Sequence, residues 1–234
     1  MSRITNNLLA VSLCAALIPL TAGNAIAYEK GDLIWRAGLA KVSPVDDSDA
    51  IDVAGLETLD GAGVDGNTQI GLTLSYMATP KIAFELLLAT PFTHDINVKG
   101  TNLSAGEVTQ LPPTISLSYY FAGPSSKFQP YVGAGINYTI FFEEDVDTDL
   151  NRALDDITGE LPGTTDAKLE LSNSVGVAIQ AGFDFQVSEN WMVNAGFWMI
   201  DINTKATIKA GDAEVSFDVE IDPFVYMLGV AHKF

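Results

Sequence analysis

The stretch SVGVAIQAGFDFQ, residues 174 to 186, decides the fold. Its odd positions hold Val175, Val177, Ile179, Ala181, Phe183 and Phe185, and its even positions hold Gly176, Ala178, Gln180, Gly182, Asp184 and Gln186. A period of two sends successive side chains to opposite faces of a strand, so one face is bulky and apolar while the other is thin and partly polar. The same design recurs outward along the chain. In TQIGLTLSYM (68 to 77), Ile70, Leu72, Leu74 and Tyr76 oppose Gly71, Thr73 and Ser75; in PYVGAGINYTI (130 to 140), Val132, Ala134, Ile136 and Tyr138 oppose Gly133, Gly135, Asn137 and Thr139. Comparable runs at 33 to 42, 82 to 92, 114 to 121, 191 to 202 and 219 to 234 bring the expected strands to eight.

The links between these runs alternate in length. They are tight at 78 to 81, 122 to 127 and 187 to 190, and mostly longer elsewhere. Short turns at one rim and long loops at the other predict an eight-stranded antiparallel up-and-down transmembrane β-barrel, with the long loops facing the cell exterior. A soluble eight-stranded barrel would instead need a charged outer face. Here the thin face is glycine, alanine, serine and threonine, which suits a narrow lumen. Trp35, Tyr76, Phe92, Phe121, Phe128 and Trp191 lie near strand ends, where aromatic girdles sit.

Composition agrees with that reading. The chain is 47% hydrophobic and 18% charged, yet beyond the first residues no stretch approaches the length of a spanning helix. Residues 1–27 carry Arg3, an apolar run from Leu8 to Leu20 and the small-x-small triplet Ala25-Ile26-Ala27, the marks of a signal peptide cleaved after Ala27. The expected mature barrel is therefore 28–234. Cys14, the single cysteine, lies in the leader behind Leu13, so neither a disulfide nor a lipid anchor is expected.

The formal charge is −18, or −19 once Arg3 leaves with the signal peptide, which argues against nucleic acid as a partner. The acids gather in two segments, 46 to 65 and 143 to 170. They read as acidic loops able to meet lipopolysaccharide phosphates through divalent ions. Within the second, Asp145, Asp147, Asp149 and Asp156 imitate the start of an EF-hand loop, but Leu150 stands where the sharp turn needs glycine. A specific metal site is not expected there, and nothing in the sequence calls for a cofactor.

Several segments resemble the outer membrane protein W family of Gram-negative bacteria, which includes the small barrels associated with alkane uptake. They are GDLIWRAGLAKVSP, NTQIGLTLSYMAT, FELLLATPFTHDI, LPPTISLSYYF, FQPYVGAGINYTIFF, WMVNAGFWMIDINT and DPFVYMLGVAHKF, in order over nearly the whole mature chain. The resemblance implies a barrel with a narrow, largely apolar lumen that admits small hydrophobic molecules and releases them sideways into the membrane. It also implies a lumen constriction of one leucine and one tryptophan, carried over to Leu87 and Trp198. Strand parity independently turns both side chains inward.

The same parity puts Arg36, Glu85, Asp184 and Lys233 inside. Buried charges must be paired, so these four read as a network holding the barrel closed, with Asp184 or Glu85 as the expected partner of Lys233; an ion-selective constriction is the other reading. Pro112 and Pro113 cannot donate to a ladder and are the expected place for a lateral opening. Phe234 has the look of the terminal signal read by the barrel-assembly machinery.

Enzyme chemistry finds no support. His94 and Asp95 are adjacent on a strand and so face opposite ways, and His232 is expected outside near the periplasmic rim. Three functions stay open: a passive pathway for small hydrophobic solutes, a structural or adhesive barrel acting through its acidic loops, and a narrow ion-conducting pore. The expected location is the outer membrane, as a monomer.

Overall fold

The structure, a computed structural model, describes residues 28–45, 47–48, 51–53, 57–59, 61–101, 103–123, 126–158, 166–210 and 213–234. The expected leader with Cys14 lies outside the described residues, as do Asp46, Asp49 and Asp60 of the first acidic segment. In chain order the elements are β1 (Leu33–Ser43), β2 (Asp47–Ser48), β3 (Ile51–Val53), β4 (Glu57–Leu59), β5 (Ala62–Val64), β6 (Asn67–Thr79), β7 (Ile82–Ala89), β8 (Phe92–Val98) and β9 (Ser104–Leu111). They continue as β10 (Thr114–Tyr120), β11 (Phe128–Val146), helix α1 (Thr148–Thr158), β12 (Lys168–Leu171), β13 (Ser174–Gln186), β14 (Trp191–Ile200), β15 (Asn203–Ala210), β16 (Ala213–Glu220) and β17 (Phe224–Lys233).

Eight of these strands form a closed antiparallel barrel in the order β10, β7, β6, β1, β17, β14, β13, β11, with β11 returning to β10. Closure removes the edges that would otherwise invite aggregation. The seam is the ladder between the first and last strands, from Ile34 opposite Lys233 to Ser43 opposite Phe224. Phe234 adds one bond beyond it, its N–H donating to the Leu33 carbonyl at 2.9 Å.

Burial follows the sequence parity. Ile70, Leu72, Leu74 and Tyr76 stand exposed on the outer wall while Thr73 and Ser75 are buried inside. Leu39 and Leu228 are each 66% exposed, on facing seam strands. An apolar belt of this extent around a whole barrel is stable against hydrocarbon and would aggregate in water.

Above the belt the rule inverts. In β16, Phe217 and Val219 turn inward while Glu214, Asp218 and Glu220 are exposed; in β8, Phe92, His94, Ile96 and Val98 are buried while Thr93 and Asp95 face out. Outside the hydrocarbon the wall meets water, so the polar residues go out and the apolar ones fill the interior. Ion pairs Lys209–Glu170 at 2.6 Å and Lys205–Asp218 at 3.5 Å lie on this outer surface.

The extension differs from the expected loops. Residues 82 to 92 do not make one strand, because Pro91 has no N–H for a ladder and the chain breaks into β7 and β8. Residues 219 to 234 likewise split at Asp222-Pro223, where Asp222 adopts φ +36°. The segment 143 to 170 contains a helix rather than only a loop. Asp147 precedes it, accepts a hydrogen bond from the Ser104 hydroxyl and takes the Asn151 N–H on its carbonyl at 3.2 Å, while Leu150 is buried. The residue that spoils the EF-hand pattern is thus the anchor of α1. Among the described residues no group of three or more His, Cys, Asp or Glu is arranged to hold a metal.

Candidate solute cavity and its floor

The lumen is built in layers, and strand register orders them. On β7, Glu85 lies opposite Ser75 and Leu87 opposite Thr73, so Leu87 is one inward position nearer the exterior than Glu85. On β14, Asn194 lies opposite Asp184 and Trp198 opposite Gln180, so Trp198 stands at least as high.

The lower layer is ionic. Arg36 is fully buried and bonds Asp184 twice, Nε to Oδ1 at 2.9 Å and Nη2 to Oδ2 at 2.7 Å; Nη1 reaches Glu85 at 3.0 Å and Ser75 at 2.7 Å. Tyr120 accepts from Arg36 Nη2 at 2.8 Å, and Asn194 and Tyr28 both donate to Asp184. Beneath lie Tyr28, Tyr120 and Tyr131, with the Tyr28 and Tyr120 rings 5.0 Å apart. Arg36, Glu85 and Asp184 are all closed to solvent.

Lys233 is not part of it, contrary to expectation. Its partner across the seam is Ile34, nearer the turn-bearing rim than Arg36, and its Nζ lies 3.7 Å from Asp32. Asp184 and Glu85 are already engaged by Arg36, Tyr28, Asn194 and Ser75. At the same rim His232 sits among Trp35, Trp191 and Phe234, with ring centroids 4.8 Å from Trp191 and 4.7 Å from Phe234.

Leu87 and Trp198 form the next layer. They are 6% and 1% exposed and share a buried apolar cluster with Ile200, Val225 and Met227. Gly196 makes room for the indole: a Cβ there would stand 2.4 Å from the Trp198 ring. Any other residue there would force the indole to shift.

A cavity of about 270 Å³ is lined by β5, β8, β9, β11, β12, β15, β16 and α1; Leu87 and Trp198 do not line it but share one buried apolar cluster with several of its walls. Its walls include Ile96, Val108, Phe141, Leu150, Leu169 and Phe217, with His94 and Gln110 among the few polar groups. About 150 Å³ of apolar space suffices for benzene. None of these lining residues was singled out for binding in the sequence. The alternation of 92 to 98 and 215 to 219 was the available signal, with charged residues on the outward face marking strands above the belt.

The wall has a discontinuity at this height. The β7–β10 ladder ends at Leu87 opposite Thr114, and the β8–β9 ladder begins at Phe92 opposite Gln110. Between them, 88 to 91 and 111 to 113 have no strand pairing with each other. Three of those seven positions are Pro91, Pro112 and Pro113. Backbone groups here turn to the other neighbours: Thr90 donates to Ile70, and the Pro113 carbonyl accepts from Tyr138, both at 3.0 Å.

Comparison with known proteins places this architecture. The sequence model of the OmpW family matches residues 29–234. Outer membrane protein W of Vibrio cholerae serotype O1 is 43% identical, the alignment covering 94% of this chain and 96% of the relative. The crystal structure of the outer membrane protein OprG from Pseudomonas aeruginosa superposes with a TM-score of 0.78 at 38% identity, covering 90% of this chain and 99% of that one. A Pseudomonas aeruginosa protein called dibenzothiophene metabolism operon protein PahQ is 23% identical, over 88% of this chain and 90% of its own length.

Proposed function

This chain belongs to the OmpW family of outer-membrane barrels, and from that premise we propose that it gives small apolar molecules a passive route into the outer membrane. The observation that carries the reading is the apolar cavity, continuous with the buried apolar cluster that contains Leu87 and Trp198, together with the buried ionic layer of Arg36, Glu85 and Asp184. A solute entering from outside gains by leaving water for the cavity. It meets charge and hydrogen-bonded tyrosine below, where an apolar molecule has nothing to gain. The unpaired wall between 88 to 91 and 111 to 113 is the alternative exit, opening toward hydrocarbon. The association of PahQ's name with a fused aromatic sulfur compound fits such a solute class.

Leu87 and Trp198 then act as the floor that turns the solute, Pro112 and Pro113 as the lateral exit, and Arg36, Glu85 and Asp184 as the seal. Phe234 is assigned to recognition by the assembly machinery. The test is accumulation of a labelled alkane or naphthalene by cells with and without the protein, at matched outer-membrane integrity. Faster accumulation with the protein is expected, and equal rates overturn the proposal.

A further inference from the structure

This inference rests on the solute cavity just proposed and names the charge state it accepts. A carboxylate leaves water only for a cation or for several hydrogen-bond donors. The segments 44 to 67, 92 to 111, 141 to 173 and 201 to 223 build the extension around the cavity. They hold 25 of the chain's 30 acids and five of its 12 bases, a net charge of −20 against −18 for the whole chain. All five bases are among the described residues, and none lines the cavity. Lys205 pairs with Asp218 and Lys209 with Glu170 on the outer surface, and Arg152 pairs with Asp149 at 3.1 Å with both side chains exposed. Lys168 is exposed, and Lys99 is half-buried in the turn between β8 and β9.

The donors are equally committed. The polar side chains of the lining are His94, Thr101 and Gln110. His94 Nδ1 lies 2.6 Å from the Asp65 carbonyl, which only accepts, so Nδ1 carries the proton and spends it there. Burial pushes the His94 pKa down, so at neutral pH the ring is no cation, and its Nε2 takes the Gln110 amide nitrogen at 2.9 Å. Gln110 itself is 1% exposed. The Thr101 hydroxyl donates to the Val98 carbonyl at 2.9 Å. Helix α1, whose Leu150 and Ala153 line the cavity, has Asp147 just before it and Asp149 in its first turn, so the positive end of its dipole already meets two acids.

We infer that the cavity admits uncharged apolar solutes and rejects their carboxylates, so that hydrocarbons and esters pass by this route and aliphatic or aromatic acids do not. Two effects add. Inside, an anion finds neither a cation nor a donor to replace its water. Outside, an amphiphile that kept its head in solvent would hold it in the field of the −20 extension, which repels it. Salt screens the second effect and leaves the first, so one experiment separates them.

The experiment uses the full chain in phosphatidylcholine nanodiscs at pH 8, with an uncharged fluorescent naphthylamine as the probe. Its displacement by naphthalene, methyl 1-naphthoate and 1-naphthoate is measured after subtracting partition into protein-free discs. The hydrocarbon and the ester are expected to displace it comparably, and the carboxylate to be weaker than its ester by upwards of about thirtyfold, in 1 M salt as well as at low salt. Ile208 lines the cavity and is half-buried on β15. Ile208→Lys supplies the missing cation and should tighten the carboxylate by about tenfold while weakening naphthalene. A smaller gap between ester and carboxylate in 1 M salt overturns the proposal while leaving the apolar cavity standing, as does an Ile208→Lys variant with no gain for the carboxylate. Failure of naphthalene and the ester to displace the probe overturns the cavity reading with it. The wild-type ratio decides alone if Ile208→Lys does not assemble.

Discussion

Arg36 and Asp184 meet side-on across the lumen, Nε 2.9 Å from Oδ1 and Nη2 2.7 Å from Oδ2, although β1 and β13 are separated in the sheet by β17 and β14. The pair therefore ties opposite walls together rather than neighbours. Asp184 also accepts from Tyr28 and Asn194, whereas Glu85 accepts once from Arg36 and once from Ser75, with Oε1 unpartnered. Removing one member of a buried pair typically costs about 3–5 kcal/mol. Asp184→Asn should lower the thermal unfolding midpoint in micelles more than Glu85→Gln does. The reverse order would show that Glu85, not Asp184, anchors the guanidinium.

The lateral exit makes a separate prediction. Replacing Pro112 and Pro113 by valine restores two backbone donors and residues that favour strands. The ladder from Leu87–Thr114 can then extend toward Phe92–Gln110. Uptake of an apolar solute should fall several-fold while binding in the cavity is unchanged. Unaltered uptake would mean the solute leaves elsewhere.

Removal of the Leu87 and Trp198 side chains tests the floor. Each truncation to alanine in a packed interior costs about 2–5 kcal/mol, so the double variant needs a check of folding by its heat-dependent gel mobility. Conductance in planar bilayers should stay at the wild-type level, because the Arg36 layer below still fills the lumen. A new ion current would show that Leu87 and Trp198 themselves seal the pore.

How much of this was legible in the sequence depends on which solvent each segment meets. Within the belt, parity alone set the faces: Val175, Val177 and Ile179 out, Asp184 in. That worked because hydrocarbon permits no polar outward residue, so the pattern is strict. Arg36, Glu85 and Asp184 stood out for the same reason. Lys233 misled because parity fixes a side, not a height, and register puts it level with Ile34 beside Asp32. Above the belt the outer wall meets water and the pattern inverts, so β15, β16 and α1 looked like hydrophilic loop. The cavity depends on side chains from eight separate elements, whose convergence no local spacing encodes.

Phe234 offers a division between assembly and stability. Its N–H holds the Leu33 carbonyl at 2.9 Å, but its ring is largely exposed, 68% by residue. Deleting it should reduce the amount of folded barrel in cells several-fold while changing refolding yield into detergent little. Equal losses in both would assign the residue to the seam instead of recognition.

His94 predicts an acid sensitivity confined to the extracellular extension. Burial holds its pKa below the ordinary 6.5, so the opened state takes up a proton more readily than the folded one. Above about pH 6.5 both states are neutral and nothing is lost. As the pH falls from there to the folded pKa, stability of the β8–β9 hairpin declines, and it stays low beneath that value. A protonated ring would also present a donor to the Gln110 amide nitrogen, breaking their bond unless the amide turns over. Amide exchange in β8 and β9, corrected for intrinsic rates, should lose protection between pH 7.5 and 5 in the wild type. The His94→Phe variant should show no such loss. Asp65 and Asp95 are the charged neighbours of the ring. An unchanged slope in the variant would remove the imidazole from the effect.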